Sequence, residues 1–200
     1  MTEHYYSRTQ QTESNPQTWS YQLKGNHFFF KTDNGVFSKN EVDFGSKLLI
    51  ETFECPALNG PILDVGCGYG PIGLSIAKLH EDRAIHMVDV NERALLLAKE
   101  NAKINNIENV IIYESDRLSN VEESSFAAIV TNPPIRAGKN IVHDIYEQSY
   151  PRLQTGGEMW VVIQKKQGAP STISKLEEIY PEVEVVSKKK GYYIIRAKKY

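Results

Sequence analysis

No apolar run in the 200-residue chain approaches the ~18 residues that a membrane-spanning helix needs. The opening, MTEHYYSRTQQTESNPQ, is polar and has no apolar stretch of the secretory kind, so a cytoplasmic protein is expected. Cysteine is scarce. Cys55 and Cys67 show neither CxxC nor Cys/His spacing, which argues against a disulfide framework and a zinc site, and no metal is expected. Neither sign of charge dominates: 23 basic against 25 acidic residues leave −2, too little excess for a chain whose whole surface wraps nucleic acid. Repeats, low-complexity tracts and linkers are missing as well. What remains, 40% hydrophobic and 24% charged, suits one domain over residues 1–200 with a sizeable core. Composition leaves monomer and homodimer both open.

The charge that is present is unevenly spread. From Ser187 to Tyr200 the chain carries six basic residues and no acidic one, a segment able to meet phosphate or simply to face solvent. Residues 1–17 read as a polar, mobile lead, and residues 18–56 as a hairpin followed by a helix. In the hairpin Trp19, Tyr21 and Leu23 alternate, Gly25-Asn26 signals the turn, and Phe28 and Phe30 alternate after it. Residues 43–53 carry Phe44, Leu48 and Phe53 at helical spacing, with Pro56 closing the helix.

Residues 57–200 alternate strand and helix. Near-continuous apolar strands are expected at 62–66, 84–90, 109–115, 126–132 and 157–164, as in a parallel sheet covered on both faces. Helices are expected at 71–80, 91–106, 140–153 and 171–180. Two final strands, 182–188 and 191–199, meet at a lysine-rich turn with Gly191 and must run antiparallel. The expected fold is α/β: a doubly wound, Rossmann-like seven-stranded sheet ending in an antiparallel hairpin, preceded by the small N-terminal hairpin and helix.

The first of these strands runs into LDVGCGYGPIGL. Glycines at 66, 68 and 70 permit a tight turn and close approach of a ligand, and the helix starting near Pro71 directs its N–H groups to the same place. Read from Gly68 through Gly70 to Gly73, the letters also satisfy the dinucleotide fingerprint, so the motif alone leaves the cofactor open. Asp64 tips the balance, because a carboxylate at such a loop suits a cofactor bearing an ammonium better than one bearing a pyrophosphate, and S-adenosylmethionine is favoured. Asp89, ending the second strand, is placed to take two ribose hydroxyls, with Asn91 as the cap of the next helix. Asp116, after the third strand, has the corresponding place for an adenine amino group. Cys67 lies in the loop without a sequence neighbour that would make it a nucleophile.

The fourth strand delivers Thr131-Asn132-Pro133-Pro134 to the same edge. The exocyclic amine of a nucleobase is a poor nucleophile, since its lone pair is delocalised into the ring and must be withdrawn before attack. Two acceptors on its hydrogens favour that change. The Asn132 side-chain oxygen and the Pro133 carbonyl can supply them, and the prolines stiffen the loop so that the acceptors need not reorganise.

DVGCGYGPIG, VTNPPIRAGK and the upstream GVFSKNEVDFGSKLL together resemble the class I S-adenosylmethionine-dependent methyltransferases of the small methyltransferase-domain type, which include bacterial 16S ribosomal RNA guanine-N2 methyltransferases. The resemblance runs from about Trp19 to the C-terminus. It implies Asn132 and Pro133 at the acceptor amine, with Asn132 also near the cofactor. It further implies Asp64, Gly66, Cys67, Gly68 and Gly70 around the methionine moiety, Asp89 with Asn91 at the ribose, and Asp116 near adenine. Phe37, Asp43 and Ser46 would border the pocket, and Pro134, Ile135, Arg136, Lys139, Lys165 and Lys166 would meet substrate, the basic ones as phosphate contacts. Ribosomal RNA or the small ribosomal subunit is then the expected partner. Many relatives carry an aromatic residue after Asn-Pro-Pro to stack on the base, whereas here Ile135 follows, leaving Phe30, Phe37 or Tyr146 as candidates. Larger relatives carry a duplicated N-terminal domain that this sequence does not show, so substrate recruitment is expected to differ. Glutamine-N5 transfer to protein and adenine-N6 transfer to DNA share the amine chemistry. An NAD-dependent oxidoreductase would leave Asn132-Pro133-Pro134 without a role, and a non-catalytic RNA-binding protein would have no use for both Asn132 and Asp89.

Overall fold

The computed structural model describes residues 4–200. An antiparallel hairpin, β1 (Gln17–Leu23) and β2 (Asn26–Thr32), precedes helix α1 (Phe44–Thr52). Strand and helix then alternate: β3 (Ile62–Val65), α2 (Pro71–Leu79), β4 (Ile85–Asp89), α3 (Glu92–Ile104), β5 (Val110–Glu114) and β6 (Phe126–Thr131). There follow α4 (Lys139–Ser149), β7 (Leu153–Gln164), α5 (Ala169–Ile179), β8 (Glu182–Lys189) and β9 (Tyr192–Lys198). The seven-stranded sheet has the order β5-β4-β3-β6-β7-β9-β8, parallel except for β9, which runs antiparallel to both β7 and β8.

Alternation along the strands builds a core on each face of this sheet. Ile62, Ile85, Met87, Ala128, Val130, Trp160 and Val162 join α1, α2, α3 and the N-terminal hairpin in one cluster. Leu63, Val65, Val88, Ile129, Met159, Val161 and Ile163 join α4 and α5 in the other. The central strands β3 and β6 are therefore buried along their whole length, which is why they read as unbroken apolar runs.

The hairpin β1–β2 turns one residue earlier than its sequence suggests. Lys24 (φ 47°) and Gly25 (φ 80°) form the two-residue loop, and Asn26 pairs with Leu23 as the first residue of β2. Two positive φ values are what a tight hairpin of the strands' own twist requires, and Lys190 and Gly191 repeat the device between β8 and β9. Helix α4 stops at Ser149, giving way to a 3-10 turn over Tyr150–Arg152 that contains Pro151, and β7 begins four residues earlier than Gly157.

The polar lead departs most from expectation. Its first three residues lie outside the described ones, but the rest is pinned along the carboxyl edge of the sheet. The Tyr6 hydroxyl donates to the Arg136 carbonyl at 3.2 Å, and Arg8 pairs with Glu114 at 2.7 Å and Glu92 at 3.1 Å. Arg93 donates to the Gln10 and Thr12 carbonyls, and Ser14 donates to Asp33. A polar composition looked mobile because, the Ser14–Asp33 bond apart, the partners of Tyr6, Arg8, Gln10 and Thr12 lie about 80 to 130 residues away and leave no local pattern.

Among the described residues no helix is long and apolar enough to cross a membrane, and no group of three or more His, Cys, Asp or Glu could hold a metal ion.

Candidate active site

Strand β3 pairs with β4 on one side and with β6 on the other, so the chain leaves β3 at the point where the strand order reverses. The glycine loop lies there. Gly66 N–H and Cys67 N–H both donate to the Val88 carbonyl at 2.9 Å, while Gly70 (φ 108°) caps α2 directly before Pro71. Gly66 (φ 75°) and Gly68 (φ 56°) have left-handed backbones, and a Cβ on either would meet no atom within 4 Å. The requirement for glycine at these two positions is thus conformational, and the space above them is open to a ligand.

Asp64 is fully buried beneath this loop. Its Oδ2 accepts the Gly73 N–H at 2.9 Å, whereas Oδ1 has no hydrogen-bond partner, the one such buried side-chain atom among the described residues. Burial pushes its pKa to about 7; the Gly73 hydrogen bond opposes this and the negative charge of Asp89 adds to it. Such an orphaned acceptor fits a cofactor that brings N–H donors and positive charge. Asp89 accepts Gly68 N–H at 2.8 Å and Asn91 N–H at 2.9 Å, one on each oxygen, leaving a further lone pair on each for hydroxyl donors. Burial raises its pKa too, opposed by those backbone N–H groups. Asn91 caps α3 by accepting from Ala94 N–H, as expected. Its Nδ2 also donates to the Tyr5 and Gly35 carbonyls.

Asp116 follows β5 on the same edge but is occupied by a bidentate pair with Arg117, at 2.9 and 3.0 Å, which holds its pKa down. Arg117 reaches Asp144 on α4 at 2.6 Å as well. Cys67 is buried, and its thiol is pushed well above its ordinary value by burial and by Asp89 and Asp64, which makes it an inert wall.

Asn132 ends β6. Its Nδ2 donates to Asp43 Oδ2 at 3.2 Å and to Ser46 Oγ at 3.0 Å. A carboxylate can only accept here, so the amide orientation is fixed and Oδ1 is left to accept from something else. Asp43 is simultaneously the N-cap of α1, accepting Ser46 N–H at 3.0 Å. The loop before α1 is tied to the glycine loop through Tyr69, whose buried hydroxyl donates to the Ser38 and Glu41 carbonyls at 3.3 and 3.2 Å. Reading the sequence placed Asp43 and Ser46 at the pocket border but not at the amide itself; the D-x-x-S spacing of a helix cap was the available signal. Tyr5, Tyr6 and Arg8 carried no such signal and were missed.

Pro133 is buried and Pro134 half-buried, and a 3-10 turn over Ile135–Ala137 follows. Ile135 packs against the core cluster beneath α4 and α5, so its side chain belongs to the scaffold more than to a substrate surface. Of the candidate stacking residues, Phe30 and Tyr146 are fully buried, whereas Phe37 is 46% exposed. Arg136 and Lys139 are exposed beside the Asn-Pro-Pro loop. Lys165 and Lys166 are exposed at the end of β7, and Lys165 N–H donates to the Gly191 carbonyl at the tip of the β8–β9 hairpin. That bond brings Lys188, Lys189 and Lys190 to the same edge, with Lys190 5.0 Å over the ring of Phe44, next to Asp43. The rest of the basic tail is differently employed: Arg196 pairs with Glu184 and Lys199 donates to the Tyr150 and Leu153 carbonyls.

The profile of the methyltransferase small domain matches residues 27–196. The chain is 63% identical over its full length to an uncharacterized Bacillus subtilis protein, YbxB, covering all of both chains. It is 29% identical to ribosomal RNA small subunit methyltransferase C of Vibrio cholerae, over 92% of this chain and 53% of that one. Among solved structures, the 16S rRNA N2 G1207 methyltransferase (RsmC) of T. thermophilus, in complex with AdoMet and guanosine, superposes with a TM-score of 0.82 at 25% identity. That match covers 92% of this chain and 51% of the other. The chain thus spans about half the length of these ribosomal RNA methyltransferases.

Proposed function

Because the chain belongs to the methyltransferase small domain family, we propose that it transfers a methyl group from S-adenosylmethionine to the N2 amine of a guanine in ribosomal RNA. When bound, that cofactor supplies a methyl group activated by attachment to a sulfonium. Asp64 and the backbone around Gly66, Gly68 and Gly70 would hold its methionine part, Asp89 with Asn91 its ribose, and Asp116 the region of its adenine.

The observation that carries the reading is the Asn132 amide, anchored through Nδ2 by Asp43 and Ser46 so that Oδ1 faces its task as an acceptor. Asn132 Oδ1 and the Pro133 carbonyl accept hydrogen bonds from the two N–H groups of the amine, localising its lone pair for attack. The nitrogen gains the methyl and then gives up one proton to water, so no strong base is required. Rigidity lowers the cost of this arrangement, since the acceptors are oriented before substrate arrives. Ribosomal RNA is favoured by two relatives whose names specify it, and guanine by the one of them named as an N2 G1207 methyltransferase and solved with guanosine. Five exposed lysines at one edge, Lys165, Lys166, Lys188, Lys189 and Lys190, with Arg136 and Lys139 nearby, suit a polyanionic partner, naked or within the small subunit. A cytoplasmic place of action follows from that substrate.

The test is incubation with methyl-labelled S-adenosylmethionine and undermethylated ribosomal RNA, free and as small subunits, followed by digestion to nucleosides. Label in N2-methylguanosine is expected. Label confined to N6-methyladenosine, or to protein, would overturn the guanine assignment.

A further inference from the structure

A nucleobase whose amine lies at Asn132 needs a surface for its ring, and the residue that follows Asn-Pro-Pro does not supply an aromatic one, because Ile135 is aliphatic and packs partly against the core. The N-terminal segment passes directly over this place. Tyr6 is held to the Arg136 carbonyl at 3.2 Å, the Tyr5 carbonyl accepts from Asn91, and the Arg8 carbonyl accepts from Glu92 N–H at 3.0 Å. Between these tethers the Tyr5 ring rests on Phe37, with centroids 5.2 Å apart and planes inclined by 39°. Phe37 is 46% exposed, so the face of its ring that Tyr5 does not cover is open to a ligand. Burial raises the pKa of the Tyr5 hydroxyl, and besides Tyr6 the charged groups that act on it are Arg136 after the Asn-Pro-Pro turn, Asp43 that anchors Asn132, and Asp89 at the cofactor edge. Tyr5 therefore stands where those three parts of the site converge.

Building on the guanine-amine reading above, we infer that residues His4 to Arg8 form a wall of the acceptor site, in which Tyr5 and Phe37 present the aromatic surface that stacks on the target base. Every base has a π-face, so such a wall binds without reading sequence, and the hydrogen bonds at Asn132 and Pro133 select the amine. The segment's polar tethers fix the wall at little cost in apolar burial.

The probe is 2-aminopurine riboside, a fluorescent nucleoside that keeps the 2-amino group and dims on stacking, titrated into protein saturated with S-adenosylhomocysteine. Wild type should bind and quench it. Tyr5→Ala and Phe37→Ala should each weaken binding about 5- to 100-fold and lose the quenching, while Tyr5→Phe keeps both. Affinity for S-adenosylhomocysteine, unchanged in all three, shows that the variants are folded. Wild type that neither binds nor quenches the probe, or alanine variants that behave as wild type, would overturn the inference. So would tighter S-adenosylhomocysteine binding by Tyr5→Ala, since the ring would then be occupying the cofactor's place. Stacking that is present while no N2-methylguanosine forms would count against the guanine reading alone.

Discussion

At the scale of single residues, the site contains two carboxylates, Asp64 and Asp89, whose proton affinities are raised by burial in spite of the backbone N–H groups that each accepts. Asp64, at about 7 in the folded chain, lies above the ~3.9 of an unfolded aspartate. The folded ligand-free protein therefore binds this proton more tightly than the unfolded chain does. Its stability declines as pH rises from about 4 to 7 and levels off above. The ammonium of a bound cofactor product needs the ionised form, so S-adenosylhomocysteine affinity should rise from pH 5.5 to about 7 and then flatten. Calorimetric titration across that range checks this, with proton release on binding below pH 7. Asp64→Asn should raise the melting temperature of the free protein at pH 8 and reduce the pH dependence of binding to the part that Asp89 contributes. Asp43 belongs to the same scale. Asp43→Ala frees the Asn132 amide and removes a helix cap, which should cost about 1 kcal/mol of stability. It should also lower turnover at least about tenfold with cofactor affinity little changed. A drop in turnover that only tracks the fraction unfolded, measured by circular dichroism, would reduce Asp43 to a cap.

At the scale of elements, the strands and helices were legible because their patterns are local. Period-two burial in the hairpin and unbroken apolar runs in the sheet translated directly into β1 to β9. What was illegible is long-range polar pairing. The clearest case is the outer edge of β2. Asn101 Oδ1 accepts Lys31 N–H at 2.7 Å and its Nδ2 donates to the Lys31 carbonyl at 3.0 Å; one helical turn on, Asn105 does the same for Phe29 at 2.9 and 2.8 Å. Two amides four residues apart, one on α3 and one at its C-cap, thus imitate a neighbouring strand and close an edge that would otherwise be open. Asn101 Nδ2 also donates to the Tyr69 carbonyl at 2.9 Å, joining hairpin, helix and glycine loop. Asn101→Ala strands one buried and two part-buried backbone groups and should cost about 2 kcal/mol or more, measurable by urea unfolding. Asn105→Ala, at a more exposed position, should cost less. Gly73→Ala would set a Cβ 2.7 Å from Met87 and should weaken the α2 packing beneath the loop, although its backbone is ordinary.

At the scale of the whole molecule, one edge of one sheet gathers everything the proposed reaction uses. The topology dictates this, since parallel strands present their carboxyl ends together and the antiparallel β8–β9 hairpin returns its lysine tip to the same side. The motifs at this edge could be read one by one in the sequence. Their convergence with the N-terminal segment could not, because Tyr5, Tyr6 and Arg8 meet partners that no spacing announces. The charge separation is likewise a property of the folded chain: net charge is −2, yet Lys188, Lys189 and Lys190 sit exposed together beside Lys165 and Lys166. Replacing Lys188 to Lys190 with glutamine should weaken RNA binding and reduce its log-log salt slope by about 2 to 3, with methyl transfer to free nucleoside unaffected. An unchanged slope would return these lysines to a merely solvated role.

The measurement that bears most directly on the account is the single-turnover rate of methyl transfer to undermethylated ribosomal RNA by Asn132→Ala, taken beside its affinity for S-adenosylhomocysteine. Loss of at least about a hundredfold in rate, with affinity held within about threefold, is the result expected if the anchored amide oxygen receives the acceptor amine. A rate close to wild type, or parallel losses in rate and cofactor affinity, would contradict it.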